Sequence, residues 1–235
     1  MSLNKFLAGL AVTGLLCTGC VTVTADGRQI NENDSPTTGK TSQELSQMLN
    51  TAKGEYQELD TKKTNKLVQE VTEGNLDTIK KVMDNPNDYE PPVLFAYAEQ
   101  VYKSGHFDTA MFWFYTAQLR ARSDANKSLD NTVHDGVTRL SSVYGQTIGR
   151  YALEHPNELE STMNKVLEWD RISQRNYNPK WVAILGNEAK ISDTIRFQDP
   201  EKYKAIDAEV RRGWKIGFDA ALKKIRESKL EVPEE

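Results

Sequence analysis

Histidine, cysteine and one short charged run are the features of this chain whose residue types could do chemistry. His106, His134 and His155 stand far apart, and none falls in the H-E-x-x-H or Cys/His spacing that closes a zinc site. No metal is therefore expected. His134 is followed by Asp135, but neighbours on a helix do not face each other, so this pair cannot orient a proton carrier. There is no G-x-S-x-G elbow. Gly39-Lys40-Thr41 ends like a phosphate-binding loop, yet Asp34 occupies the place of the first glycine and no buried strand precedes it. No nucleotide or other cofactor follows from it. Carboxylates are plentiful, with 34 Asp and Glu, and no spacing singles out a pair for acid/base work. An enzyme is the minority reading. The polar constellation that stands out is Arg120, Arg122 and Asp124, directly after four consecutive aromatics, Phe112 to Tyr115. On a helix Arg120 and Asp124 are one turn apart and can pair. The alternative places Arg120 or Arg122 beside Trp113 as a recognition edge. Glu168-Trp169-Asp170-Arg171 repeats the mixture of Trp and charge.

The elements that would position these residues begin after an export signal. Residues 1–19 carry Lys5, an apolar run from Phe6 to Leu16 and small residues before Cys20, the build of a secretory signal peptide. The run is too short for a membrane-spanning helix. The end Leu16-Cys17-Thr18-Gly19-Cys20 resembles a bacterial lipobox, with Cys17 where that motif usually has Leu. The resemblance implies cleavage after Gly19 and a lipid on Cys20; ordinary export is the alternative. Val21 in place of Asp then implies release to the outer membrane, facing the periplasm. Loss of Lys5 with the signal moves the net charge from -4 to -5. The mature chain would hold no free thiol, and its stability would come from packing alone.

Residues 20–40 are rich in Asp, Asn, Thr and Gly and poor in large apolar side chains after Val23. Such a segment cannot bury enough surface to offset its ordering entropy and is expected to act as a tether reaching on the order of 25 Å. The remainder, residues 41–235, is expected to be one domain. The whole chain has 235 residues and is 38% hydrophobic, enough for a sizeable core. It is acidic overall, and no basic block stands out to displace counterions from phosphates, which argues against nucleic acid as a partner.

After residue 40 the apolar pattern is helical, and no convincing period-two alternation occurs. The expected fold class is all-α, a compact multi-helix domain. Thr41 with Glu44 has capping-box spacing ahead of Leu45, Met48, Leu49 and Ala52. Leu67, Val68 and Val71 mark a second helix. Asn75 caps a third, which Asn85-Pro86 stops, and Pro91-Pro92 opens a fourth. Phe95, Ala98, Val101 and Tyr102 then share a face, Ser104-Gly105-His106 turns the chain, and Ala110, Phe114 and Ala117 continue on the next helix. Val133 to Ile148 and on to Leu153 form another. Asn157 is expected to cap a helix through Leu159, Met163 and Val166. Asp170 to Trp181 reads as an ordered loop, because it mixes turn residues with Tyr177 and Trp181. From Pro200, Tyr203, Ile206, Val210, Trp214, Phe218, Leu222 and Ile225 recur every three or four residues.

Ala98, Gly105, Phe107, Ala110, Phe114 and Ala117 resemble one tetratricopeptide or Sel1-like helical hairpin, in which Trp113 falls where Sel1-like repeats often carry an aromatic. The likeness covers about 25 residues, and the closing proline of such a unit is replaced by Arg122-Ser123. No second copy follows at the expected period. More loosely, the segments PPVLFAYAEQ, FWFYTAQLRAR and VLEWD are similar to those of uncharacterised bacterial lipoproteins, which brings no activity with it. Phe114, with Phe112 or Tyr115, is expected in the core and Trp113 at the rim. Packing against neighbouring helices accounts for most of the aromatic run; the functional alternative is a protein-contact patch of Trp113, Tyr115, Arg120 and Arg122. Taken together these features lead to the expectation of a lipid-anchored periplasmic protein-binding module. The concrete form is an immunity protein occluding a periplasm-targeted toxin; the alternative is a scaffolding or assembly lipoprotein of an envelope machine.

Overall fold

The computed structural model describes residues 53–230, with side chains as far as residue 227. The signal, Cys20, the tether and the expected helix after Thr41 lie outside the described residues. What is described is all-helical. Seven α-helices follow in order among the described residues: α1 (Thr61–Thr72), α2 (Leu76–Asp84), α3 (Pro91–Lys103), α4 (Phe107–Ala125), α5 (Val133–Glu154), α6 (Pro156–Ile172) and α7 (Tyr203–Leu230). Extended pairing among these residues is confined to a lone bridge between Ser128 and Phe197.

Local chemistry sets the boundaries. The Asn75 side chain accepts from the Thr78 amide and caps α2, while Pro91 and Pro92 occupy the first turn of α3, where a missing N–H costs nothing. Gly105 turns α3 into α4 at φ +84, a left-handed value that a side chain would disfavour. Its amide donates to Tyr102 and that of His106 to Val101, so the freed carbonyls of α3 are satisfied as the chain reverses. Two boundaries differ from those expected of the sequence. Pro156, rather than an Asn157 cap, opens α6. That helix also runs on through Ile172, because Asp170 is drawn inward by cations from three other segments.

The helices run up and down between two ends. Thr64 meets Glu90 while Thr72 meets Gln100, so α1 lies parallel to α3. Tyr151 near the end of α5 reaches Asp108 at the start of α4, and Arg226 near the end of α7 reaches Glu160 at the start of α6. The turns at Gly74, Gly105 and His155 therefore share one end, here the tip. Residues 53–60, the end of α4 and the 186–200 loop form the other, the base.

The core is centred on α3 and α4. Val93 to Ala98 are consecutive and all buried, as are Phe114 to Ala121, so these helices are enclosed rather than amphipathic. Ala98, Ala110 and Ala117 are fully buried, which lets the two helices approach closely. α7 covers one flank with Trp214, Phe218, Leu222 and Ile225. At the base the entering chain is clasped: the Glu55 amide donates to Asp193 O at 2.9 Å, the Ile195 amide donates to Glu55 Oε2 at 3.0 Å, and Tyr56 is 2% exposed.

Candidate functional site

In the lower half of the bundle α4, α6, α7 and the loop after α6 bring together a charge cluster. Arg120 is fully buried; its Nε donates to Asp170 Oδ1 at 3.2 Å and its Nη2 to Asn87 Oδ1 at 2.8 Å. Asp170 also accepts from Arg175, at 3.0 Å to each oxygen, and from Arg211 at 2.8 Å. Asp124, equally buried, accepts from Lys127 at 2.9 Å and from the Trp181 indole at 2.9 Å. Asp207 joins the two halves, meeting Lys127 at 2.9 Å and Arg175 at 3.0 Å and accepting from Ser123 Oγ. Three carboxylates thus meet four cations.

The electrostatics follow from the pairing. Burial works against the charged form of Asp170, but Arg175 and Arg120 outweigh it and hold the carboxyl below the usual range. Burial also disfavours the charged Arg175, yet Asp170, Asp124 and Asp207 hold its proton more tightly than usual. Burial and Asp124 push the Tyr177 hydroxyl well above its ordinary value. Each of these shifts fixes the protonation state at neutral pH. Such a set holds four segments together and is poorly suited to passing protons.

Glu90, at the start of α3, is the counterexample. Its carboxylate accepts from Thr64 Oγ1 at 2.6 Å, and burial, with Asp124 and Asp60 nearby, pushes it up to about 7. The Thr64 hydrogen bond and, more weakly, Lys63 act the other way and do not offset this.

Above the cluster lies the aromatic run. Phe114 and Tyr115 are buried, as part of the expectation had it, while Phe112 and Trp113 are half-buried. Phe112, Trp113 and Trp169 pack edge to face, with centroids 5.0, 5.4 and 5.8 Å apart. The Arg120 guanidinium sits 4.4 Å from the Trp169 ring centre and so supports the triad from within.

The four residues expected at a partner contact divide accordingly. Tyr115 (4% exposed) and Arg120 (0%) are inside the fold, which corrects their assignment to a surface edge. Trp113 is half-buried, edge to face with Tyr97, Phe112 and Trp169. Arg122 is half-buried with its guanidinium 5.5 Å from the Trp214 ring. The one-turn pair of Arg120 with Asp124 does not form: each finds partners from other segments that its own helix cannot supply. Sequence reasoning singled out neither Arg175 nor Arg211. A signal existed for the first, since Arg175 lies in the turn-rich but aromatic segment expected to be an ordered loop; Arg211 carried none.

The histidines are dispersed. His106 Nδ1 lies 3.0 Å from Ser104 Oγ at the tip, His155 stacks on Tyr151, and His134 is held below its usual value by burial and by Arg122. Among the described residues no group of three or more His, Cys, Asp or Glu is placed to hold a metal ion, and no helix is long and apolar enough to cross a membrane. No protein-family model, curated protein or solved structure matches this chain.

Proposed function

We propose that this protein is a protein-binding module of the bacterial envelope, anchored through a lipid on Cys20 to the outer membrane and facing the periplasm, and that it acts as an immunity protein by occluding a toxin delivered there. The observation that carries the binding reading is the Phe112, Trp113 and Trp169 triad. Three large aromatics packed edge to face and left half-open, on a rigid charged foundation, have the composition and support of an interface hot spot. Rigidity favours this use, because ordered side chains lose little entropy when a partner arrives. The charge cluster supports the same reading, since its groups are engaged with one another and leave catalysis no free acid or base among them. The anchor rests on the lipobox-like end at Cys20.

The test is capture from envelope extracts of the source organism by the full mature chain, with Trp113→Ala and Trp169→Ala as parallel baits. One secreted effector retained by the wild type and lost by both variants is the expected result; equal capture by all three would remove the triad from the interface. Membrane fractionation tests the anchor separately. Cys20→Ala is expected in the soluble fraction, and tight membrane retention of that variant would refute the lipid.

A further inference from the structure

The tip of the bundle carries a groove of ≈ 520 Å³ between α3 and α5, lined by Glu99, Tyr102, Lys103, Phe107 and Tyr144 among others. A second depression shares its Gly105 and Phe107 and adds Asp108 and Tyr151. We infer that this tip groove is a docking site for a basic segment, bearing Arg or Lys, of a protein partner. The inference deepens the binding-module reading by naming the chemistry of what is bound, and it uses a surface distinct from the aromatic triad.

Aromatic rings and single carboxylates share the lining of both depressions. Phe107, 39% exposed, packs at 4.8 Å from Tyr102 and 5.1 Å from Tyr151, so an open aromatic surface is held in place by its neighbours. Tyr144 is fixed by stacking on the core ring of Phe95. Glu99 lines the groove, Asp108 lines the second depression, and Glu158 acts on Tyr151 through its charge. Asp108 accepts from the Tyr151 hydroxyl at 3.1 Å, and Glu99 pairs with Lys103 at 3.0 Å, so these two cancel and the negative excess at the tip comes from Asp108 and Glu158. His106, also at the tip, turns Nδ1 toward Ser104.

The local field agrees with this balance of charge. Burial and Glu99 push the Tyr144 hydroxyl up to about 12, and burial together with Asp108 and Glu158 raises that of Tyr151. Tyr144 stacks on Phe95 and Tyr151 on His155, so the exposed ring is that of Phe107, and beside Asp108 it attracts guanidinium or ammonium groups through both cation–π and ionic terms, while the stems of those side chains cover it. An acidic segment would meet the same rim as repulsion.

Fluorescence anisotropy tests this with the full-length chain in detergent and two labelled peptides, acetyl-Arg-Leu-Arg-Leu-Arg-amide and its Glu counterpart. The Arg peptide is expected to bind, the Glu peptide not, with affinity falling as salt rises. Asp108→Lys and Glu158→Lys, each checked for folding by circular dichroism, are expected to weaken binding about tenfold, and Phe107→Ser similarly. Asp219→Lys, on the exposed face of α7, is the control for overall charge and should bind like the wild type. Equal binding by the wild type and the tip variants, an equal loss with Asp219→Lys, or a preference for the Glu peptide would each overturn the inference. Should Trp113→Ala abolish effector capture while the tip reversals leave peptide binding intact, the module reading stands and the groove falls. Tip-dependent peptide binding without any captured effector would instead uphold the groove and sink the effector reading.

Discussion

The two ends of this bundle combine aromatic rings with charge and use them in opposite ways. Toward the base, Asp124, Asp170 and Asp207 are matched to Arg120, Lys127, Arg175 and Arg211, Trp169 and Trp181 close over them, and little is left for a partner. At the tip, Phe107 is exposed and Tyr102 and Tyr151 are half-buried beside Asp108 and Glu158. The same residue classes become foundation when every charge finds an opposite, and recognition surface when charges of one sign are left in excess. Enclosure decides the outcome, since a desolvated charge must be paired whereas a solvated one need not be.

The largest effect should come from breaking the foundation. Asp170→Ala leaves Arg120, Arg175 and Arg211 without their shared carboxylate, and urea denaturation should show a loss of about 3–5 kcal/mol. The sign with pH follows from its depressed carboxyl: the stabilisation by Asp170 is present above the ordinary carboxylate range and disappears as the pH falls through its lowered value.

Glu90 sharpens the contrast by running the other way. Its carboxyl moves from 4.5 in the free group to about 7 in the fold, so the penalty for its charge is absent below about pH 4.5, grows between the two values and is complete above pH 7. Glu90→Gln should therefore stabilise the protein by about 1–3 kcal/mol at pH 8 and by almost nothing at pH 4.5. Denaturation midpoints across that pH range check both the sign and the window; a constant difference would place the strain elsewhere.

Smaller changes are expected from the surfaces. Trp113→Ala removes a half-buried ring from the triad, with an expected loss of about 1–2 kcal/mol in thermal unfolding. Phe107→Ser at the tip should cost about 1 kcal/mol, less than full burial of a Phe would imply, because 39% of the residue is already in water. A tip substitution as costly as Asp170→Ala would mean that the groove is structural and would dissolve the contrast.

The frame of the fold was legible in the sequence because its signals are local. Asn75, Pro91, Gly105 and the spacing from Tyr203 to Ile225 each declare a cap, a start, a turn or a face within a few residues. The enclosed stretch Phe114 to Ala121 was half legible: four aromatics in a row say that some must be buried and leave open which. The charge cluster was hidden for a different reason. Arg120 meets Asp170 across fifty positions, and the energy of that pair depends on a desolvation that no single segment encodes. Arg120 and Asp124 instead suggested a pair on one helix, the answer that local spacing gives and tertiary partners override. The tip groove went unread because its rings come from α3, α4 and α5, none of which looks like a site alone.

The clasp at Gly54 has a mechanical consequence. The glycine takes φ +53, and a Cβ there would stand 2.1 Å from Asp193 O, so the incoming chain is pressed against the 186–200 loop as closely as backbone permits. A pull on the residues before it would load the Glu55 to Asp193 and Ile195 to Glu55 bonds first and would spare α1 until both gave way. The 19 residues of α4 form a spar of about 28 Å that separates this clasp from the groove at the tip.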